Sequence, residues 1–181
     1  QELKTRLAER LAQERMDLMT APITTFHGFA MRVLRDHAPT LGLSPSFQIA
    51  SEGEAAALLH RAVEETVLLL LDQQDPHVVY LCQRFKFRRL LMHLIPLLED
   101  RWSFQQFIQS NAPRTETISA IITAFLACDA HYADLKRAHD VLDFHDLEIM
   151  TWQLFQDDPR ILTDYQRQFR HILVDEFQDT N

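Results

Sequence analysis

Apolar residues recur at intervals of three and four along most of this chain, the spacing that buries one side of a helix. Start signals accompany the pattern. Ser51 is followed three residues later by Glu54, which is a capping box, and Asp75 precedes a proline that ends one helical run. We therefore expect a mostly α-helical chain. The predicted helices cover residues 2–19, 26–35, 52–71, 78–94, 102–109, 116–137, 144–156 and 159–168.

A few segments depart from helical spacing. Residues 22–24 predict a short strand, and residues 47–50 predict a short extended piece. The run Ile172-Leu173-Val174 places apolar side chains on both faces, which is typical of a strand buried in a parallel sheet. Within the predicted helix 52–71, the run of leucines at 68–71 widens the apolar stripe and predicts burial on several sides.

Two adjacent carboxylates, Asp175 and Glu176, follow the predicted strand 172–174. In open parallel sheets, ligands bind beyond the carboxyl ends of the strands. Neighbouring side chains that leave a strand point in different directions, so one carboxylate can hold hydrated Mg²⁺ while the other faces a water. The residues alone leave open whether this is a nucleotide site or a strand that ends in solvated charges.

Composition limits the classes of function. The chain has 181 residues, 46% of them hydrophobic and only three of them glycine, which favours a globular helical protein over a turn-rich β protein. The net charge of −8 disfavours nucleic-acid binding by the whole surface, so any DNA contact must be local. Two isolated cysteines indicate free thiols and no zinc site. With no signal peptide and no membrane-length apolar run, we expect a reducing, cytoplasmic setting.

The segment Thr-Phe-His-Gly-Phe at 25–29 opens a predicted helix. Thr24 or Thr25 can cap it, which leaves backbone N–H groups at its positive end for a phosphate. His27 lies in the first turn and can join such a contact. The residues alone favour a plain surface or packing role for His27.

One dense basic cluster stands out in this acidic chain: Arg84, Lys86, Arg88 and Arg89, interleaved with Phe85 and Phe87. Basic residues alternating with aromatic rings form one type of single-stranded nucleic-acid site. The alternative is a helix whose phenylalanines lie in the core and whose cations are solvated. Asp143 and Asp146 form a further polar pair, which is explained by an N-cap and a first-turn acid of the helix that follows.

Four strings share the order and approximate spacing of one family. Glu-Leu-Lys-Thr-Arg-Leu at 2–7 resembles the tail of motif Ia, and Thr-Phe-His-Gly-Phe at 25–29 resembles the Thr-Phe-His element. Leu-Asp-Phe-His-Asp-Leu at 142–147 resembles the Leu-Asp-Phe element that precedes motif II, and Asp-Glu-Phe-Gln-Asp-Thr-Asn at 175–181 resembles motif II (Walker B). The chain thus resembles superfamily 1 UvrD-like DNA helicases (UvrD, PcrA and Rep, with RecB and AddA as relatives).

The resemblance implies a fragment of an α/β RecA-like P-loop motor domain, with about two strands and a helical insertion. Residues 1–41 would belong to motor domain 1A, residues 42–138 would form the helical 1B insertion, and residues 139–181 would return to domain 1A and end in motif II. Both ends of the chain read as interrupted, so we expect it to be part of a larger protein.

Site roles follow from the same resemblance. Asp175 would bind Mg²⁺ through water, Glu176 would activate the attacking water, and Gln178 with Asp179 would couple the state of ATP to the DNA site. Thr25, Phe26 and His27 would contact single-stranded DNA. Gly28 stands where a serine is usual in this family, which puts the contact of that serine in doubt.

The parent protein would be an ATP-dependent 3′–5′ DNA helicase of repair or recombination, with Mg²⁺ and ATP as cofactors and single-stranded and duplex DNA as partners. No Gly-x-x-x-x-Gly-Lys-Ser/Thr loop occurs in these residues, so we expect no cofactor and no ATPase activity in this chain alone. The string at 142–148 also suggests the RecB/AddA branch, whose members are subunits of helicase–nuclease complexes. The alternative is a non-catalytic helical module for DNA binding or protein docking.

Overall fold

The computed structural model describes residues 6, 10–13, 15–16, 19, 22–110, 114–169 and 171–175. The described positions before residue 20 are helical. Helices and strands then follow in one order: α1 (Phe26–Asp36), β1 (Gln48–Ile49), α2 (Glu52–Asp72), α3 (Pro76–Phe85), α4 (Phe87–Glu99), α5 (Arg101–Gln109), α6 (Glu116–Ala138), β2 (Val141–Leu142), α7 (Phe144–Asp157) and α8 (Pro159–Gln168).

The described part of the chain is mostly α-helical with two parallel strands, as the sequence predicts. The helix starts follow the predicted capping chemistry. Ser51 and Glu54 form the capping box of α2, with the Ser51 backbone N–H donating to Glu54 Oε2 at 2.9 Å. Thr115 caps α6, and Asp75 and Asp158 cap helices that begin with proline. Local polar side chains therefore define where most of these helices begin.

One observed strand was predicted: β1 lies within the predicted extended piece 47–50, whereas β2 lies where no strand was predicted. β1 and β2 pair in parallel, with Gln48 opposite Val141. The segments 22–24 and 172–174 are not strands, and Ile172 and Leu173 expose 77% and 97% of their surface. A strand needs a partner edge for its backbone groups, and no described strand pairs with either segment.

The predicted helix 78–94 is two helices. The chain breaks at Lys86, whose backbone has φ 62°, and continues as α4, which includes Pro96. Residues two apart on a continuous helix do not face the same way. The break lets both Phe85 and Phe87 pack against the same core, although no glycine or proline marks the position.

Two hydrophobic clusters organise the described residues. The larger lies among α2 to α6 and is centred on residues such as Val63, Leu94 and Phe125. The smaller joins α1, the two strands and α7 through Leu34, Phe47 and Leu147 among others. The leucines at 68–71 are less buried than predicted, since Leu68 and Leu69 are about half exposed.

Helix α6 runs through the larger cluster and contributes several fully buried side chains, including Phe125 and Cys128. Among the described residues it is also the one helix that is long and apolar enough to cross a membrane by length and composition. Core helices pass the same test. Burial raises the pKa of the Cys128 thiol to about 12, which leaves this cysteine an unreactive packing residue.

Candidate nucleic-acid interface

The Thr-Phe-His element forms the start of α1. Thr25 is its N-cap, and the Thr25 hydroxyl accepts a hydrogen bond from the Gly28 backbone N–H at 3.0 Å. Phe26 remains 60% exposed, although it begins an amphipathic helix whose later residues Ala30, Val33 and Leu34 are buried. The element thus presents an exposed ring and a capped helix end.

The hydroxyl of Thr24 lies directly beside the Cα atom of Gly28. A Cβ atom added at this position would lie 2.3 Å from Thr24 Oγ1 and 3.2 Å from Thr25 Oγ1. The Thr24 hydroxyl therefore occupies space that a serine side chain at position 28 would need. The departure from the usual serine is accommodated by the threonine four residues earlier.

His27 turns towards α7. Its Nε2 lies 3.2 Å from Glu148 Oε1, and its ring centroid lies 4.9 Å from that of Phe144 at a tilt of 56°. These contacts join the Thr-Phe-His element to the first turns of α7. The sequence-predicted His27 is therefore a partly exposed residue that already has a charged partner.

A cleft of about 650 Å³ separates the start of α1 from residues 171–175. Thr25 and Phe26 line one side, and Asp175 lines the other. The floor is aromatic, with the rings of Phe29 and Phe169 5.7 Å apart. Two parts of the predicted site thus meet at one cleft, whereas His27 is not among the residues that line it.

Most of motif II lies outside the described residues, including Glu176, Gln178 and Asp179. The exposed Asp175 carboxylate is the candidate metal ligand, and the threonine hydroxyls across the cleft are neutral. No lysine or arginine is among the described residues that line the cleft. These groups fit a hydrated Mg²⁺ ion and lack the cations that would hold the phosphates of a nucleotide.

A buried ionic cluster lies beneath the start of α7, and sequence reasoning missed it. Arg101 Nη2 is 2.8 Å from Asp143 Oδ1 and 2.6 Å from Asp146 Oδ1. Lys136 Nζ is 2.9 Å from Asp143 Oδ2 and 2.5 Å from Asp146 Oδ2. All four side chains are at most 14% exposed. The predicted N-cap Asp143 and the predicted first-turn acid Asp146 therefore also neutralise Arg101 from α5 and Lys136 from α6.

Tyr132 completes the ionic cluster. Its hydroxyl donates to Asp143 Oδ2 at 2.9 Å, and its ring lies 4.1 Å from Lys136 Nζ, close enough for a cation–π contact. Lys136 follows Tyr132 by four residues and Asp129 by seven on α6. This spacing places a lysine on the buried side of α6, and it is the signal in the sequence from which a buried ion pair could have been predicted.

The pKa values of the buried Asp143 and the half-buried Asp129 shift in opposite directions. Burial raises the pKa of the Asp143 carboxyl, but the hydrogen bond from Arg101 and the charges of Lys136 and Arg101 outweigh burial and hold this pKa well below its usual range. At Asp129, burial is the larger effect, and its pKa is raised in spite of Arg101 and the Gln105 amide. The cluster thus stabilises one carboxylate and leaves the other poorly compensated.

The four cations of the basic cluster surround the break between α3 and α4. Arg84, Lys86, Arg88 and Arg89 are all exposed, and no ion pair joins them to a carboxylate within the described part of the chain. The interleaved rings of Phe85 and Phe87 pack against the core. We name these four cations the basic corner. It offers exposed charge beside two half-buried rings that pack against the core.

Comparison with known proteins identifies the family to which the sequence is similar. The chain matches the family described as UvrD/REP helicase N-terminal domain over residues 1–181. It is 31% identical to the ATP-dependent DNA helicase PcrA of Leuconostoc citreum over 99% of this chain and 21% of that protein. It is 32% identical to DNA helicase II of Rickettsia typhi, over 88% of this chain and 22% of that protein.

A further relative, DNA helicase II of Haemophilus influenzae, is 31% identical over 99% of this chain and 22% of its own length. No solved structure matches. The chain belongs to the UvrD/REP helicase N-terminal domain family. It spans about a fifth of the length of these relatives.

The ionic cluster yields a test with opposite signs at two aspartates. We expect Asp143→Asn to lower the free energy of unfolding at neutral pH by about 3–5 kcal/mol, because it leaves buried cations uncompensated. The depressed pKa of Asp143 places its stabilisation above the ordinary aspartate pKa of about 3.9, and it is lost as the pH falls below that value. Urea unfolding from acid to neutral pH measures this, and the two proteins should converge in acid.

Asp129→Asn is the matched control for this test. Because the pKa of Asp129 is raised, the folded state loses stability as the pH rises through the ordinary aspartate value. We therefore expect Asp129→Asn to be at least as stable as the wild type at neutral pH. An equal loss of stability in both variants would contradict the assigned roles.

Proposed function

We propose that this chain is part of an ATP-dependent DNA helicase that moves 3′ to 5′ along single-stranded DNA and acts inside the cell in repair or recombination. The observation that carries the proposal is the cleft in which Thr25 and Phe26 face Asp175. A helicase motor must link DNA contact to nucleotide hydrolysis, and this cleft brings a residue proposed for hydrolysis beside two proposed for DNA. Three relatives with helicase names give further support.

In this proposal, the residues of motif II divide the work of ATP hydrolysis. Asp175 would hold Mg²⁺ through a water molecule, and the ion would neutralise charge on the phosphates. Glu176 would orient and deprotonate the attacking water, and Gln178 with Asp179 would relay the nucleotide state to the DNA site. Because no lysine or arginine is among the described residues that line the cleft, we expect the phosphate-binding cations of the nucleotide site to come from other residues.

We further propose that the chain divides as the resemblance implies, into residues 1–41, 42–138 and 139–181. The larger hydrophobic cluster lies wholly within the proposed insertion, and the smaller one draws on all three parts. Both cations of the ionic cluster come from the insertion, and both carboxylates come from the returning segment. The insertion would thus be a helical body fastened to the motor domain at the start of α7.

The basic corner would contact the phosphate backbone of DNA. Its four cations are exposed on a chain whose net charge is −8, so they form a local positive site in a repulsive surrounding field. Because the adjacent rings are turned inward, we expect contacts that depend on charge and do not depend on base identity. Duplex or forked DNA fits such a surface.

Two branches of the family remain candidates for the parent protein. The string at 142–148 favours the RecB and AddA branch, in which the motor is one subunit of a helicase–nuclease complex. The named relatives favour the PcrA and DNA helicase II branch. The second candidate function is a non-catalytic helical module, which is favoured by the absence of phosphate-binding cations among the described residues of the cleft.

The first test is ATP hydrolysis by the chain alone. We expect no turnover above the buffer rate with Mg²⁺ and single-stranded DNA, because the sequence contains no Gly-x-x-x-x-Gly-Lys-Ser/Thr loop. A coupled phosphate-release assay measures this. Turnover that disappears in Glu176→Gln would overturn the division of the nucleotide site proposed above.

The second test is DNA binding by the basic corner. Replacing Arg84, Lys86, Arg88 and Arg89 together by glutamine should weaken binding of forked DNA at least about tenfold at low salt. The slope of log K against log salt should fall by up to about 0.9 for each phosphate that the variant no longer neutralises. Fluorescence anisotropy at several salt concentrations measures both quantities.

A control variant removes the same amount of charge elsewhere. Arg61, Arg137, Arg160 and Arg167 are exposed and distributed over α2, α6 and α8, and replacing these four by glutamine leaves the basic corner intact. We expect this variant to keep most of the affinity. If both quadruple variants lost the same amount of DNA affinity, the basic corner would not be a specific DNA site, and only the total charge of the chain would matter. No binding by the wild type at low salt would leave only the docking role.

A further inference from the structure

We propose that Glu148 is an internal competitor at the nucleic-acid interface: a DNA strand must displace its carboxylate from His27 before a phosphate can bind that imidazole. This inference rests on the proposed function, in which a single strand contacts the Thr-Phe-His element. It concerns a residue of α7 that the motif roles leave without a task. The ligand that it controls is the phosphodiester backbone of single-stranded nucleic acid.

The competition follows from hydrogen-bonding chemistry. Glu148 Oε1 lies 3.2 Å from His27 Nε2. An ionised carboxylate has no proton to donate, so the bond requires Nε2 to carry the hydrogen. The oxygens of a phosphodiester are likewise acceptors only. A phosphate that binds at Nε2 therefore requires the N–H group that Glu148 already occupies, and the two anions compete for it.

The rest of the His27 ring is also constrained. The Phe144 ring lies against it at 4.9 Å between centroids, so the imidazole is bordered by an aromatic ring as well as the carboxylate. Both contacts come from α7, and this helix is the element against which α1 packs through Ala30, Leu34 and Leu147. If the imidazole rotated to present its other edge to a DNA strand, it would lose its contacts with both Glu148 and Phe144.

The solvent exposure of His27 and Glu148 determines whether a DNA strand can displace the carboxylate from the imidazole. The side chains of His27 and Glu148 are 42% and 59% exposed. Exposed pairs of this kind are weak, because water and salt screen their charges. A strand that is held by other contacts can therefore replace Glu148. The buried ionic cluster nearby cannot exchange in this way, because its four side chains are shielded from solvent.

The direct test measures oligothymidylate binding by the 181-residue chain with and without Glu148→Gln. Glutamine keeps the size of the side chain and removes its charge. We expect the variant to bind a fluorescein-labelled oligothymidylate about two- to fivefold more tightly at low salt, the range that corresponds to removing one exposed charge interaction. Unchanged or weaker binding would overturn the competition.

A double-mutant cycle separates competition from general repulsion. In a His27→Phe background, the gain from Glu148→Gln should shrink towards the gain from removing a distant charge. Phenylalanine keeps a ring against Phe144 and has no N–H group for the two anions to contest. Glu65→Gln is the matched control, since Glu65 pairs with His131 at 2.9 Å on the helical body. An equal gain in both His27 backgrounds, or an equal gain from Glu65→Gln, would show that only net charge matters.

A measurement without DNA distinguishes this inference from the proposed function. The ¹⁵N resonance of His27 Nε2 should shift in Glu148→Gln, because its hydrogen-bond acceptor loses charge. If the wild type and the variant both fail to bind the oligonucleotide although this resonance shifts, the proposed DNA contact is wrong. If both bind equally, only the competition is wrong.

Discussion

Four buried charges at the start of α7 constrain more of this structure than any other interaction among the described residues. Arg101 and Lys136 approach from the helical body, while Asp143 and Asp146 also close the capping box of α7. Burying such charges is costly unless every partner is present, so removal of one partner is expected to disturb the others. Helix α7 can therefore begin at only one place relative to α5 and α6.

The same helix start carries the contacts of the candidate interface. Phe144 directly follows the capping Asp143, and Glu148 lies one turn further along, where both meet His27. The position of the Thr-Phe-His element thus depends on a network that reaches into the helical body. This continuity connects helices α5 and α6 to the Thr-Phe-His element through the start of α7.

Sequence reasoning succeeded where structure is local. The caps at Ser51, Thr115 and Asp143 lie within three residues of the backbone groups that they satisfy, so their effect can be read from short strings. Contacts between distant residues were missed. The partners Arg101 and Asp143 are 42 positions apart, and the break at Lys86 serves the packing of two rings against a remote core. The predicted strand 172–174 likewise depends on partner strands that no string of its own can specify.

If the ionic cluster holds α7 and the Thr-Phe-His element in place, native-state hydrogen exchange of Lys136→Met will show both segments opening more often than in the wild type. Methionine fills similar volume without charge, and Arg137→Met is the control because Arg137 is exposed and pairs with Asp134 at the surface. We expect the amides of α1 and the first turn of α7 to lose protection in Lys136→Met while the amides of α2 to α4 stay protected. If protection were unchanged, or fell equally in all helices, the ionic cluster would not be what holds α7 and the Thr-Phe-His element in place.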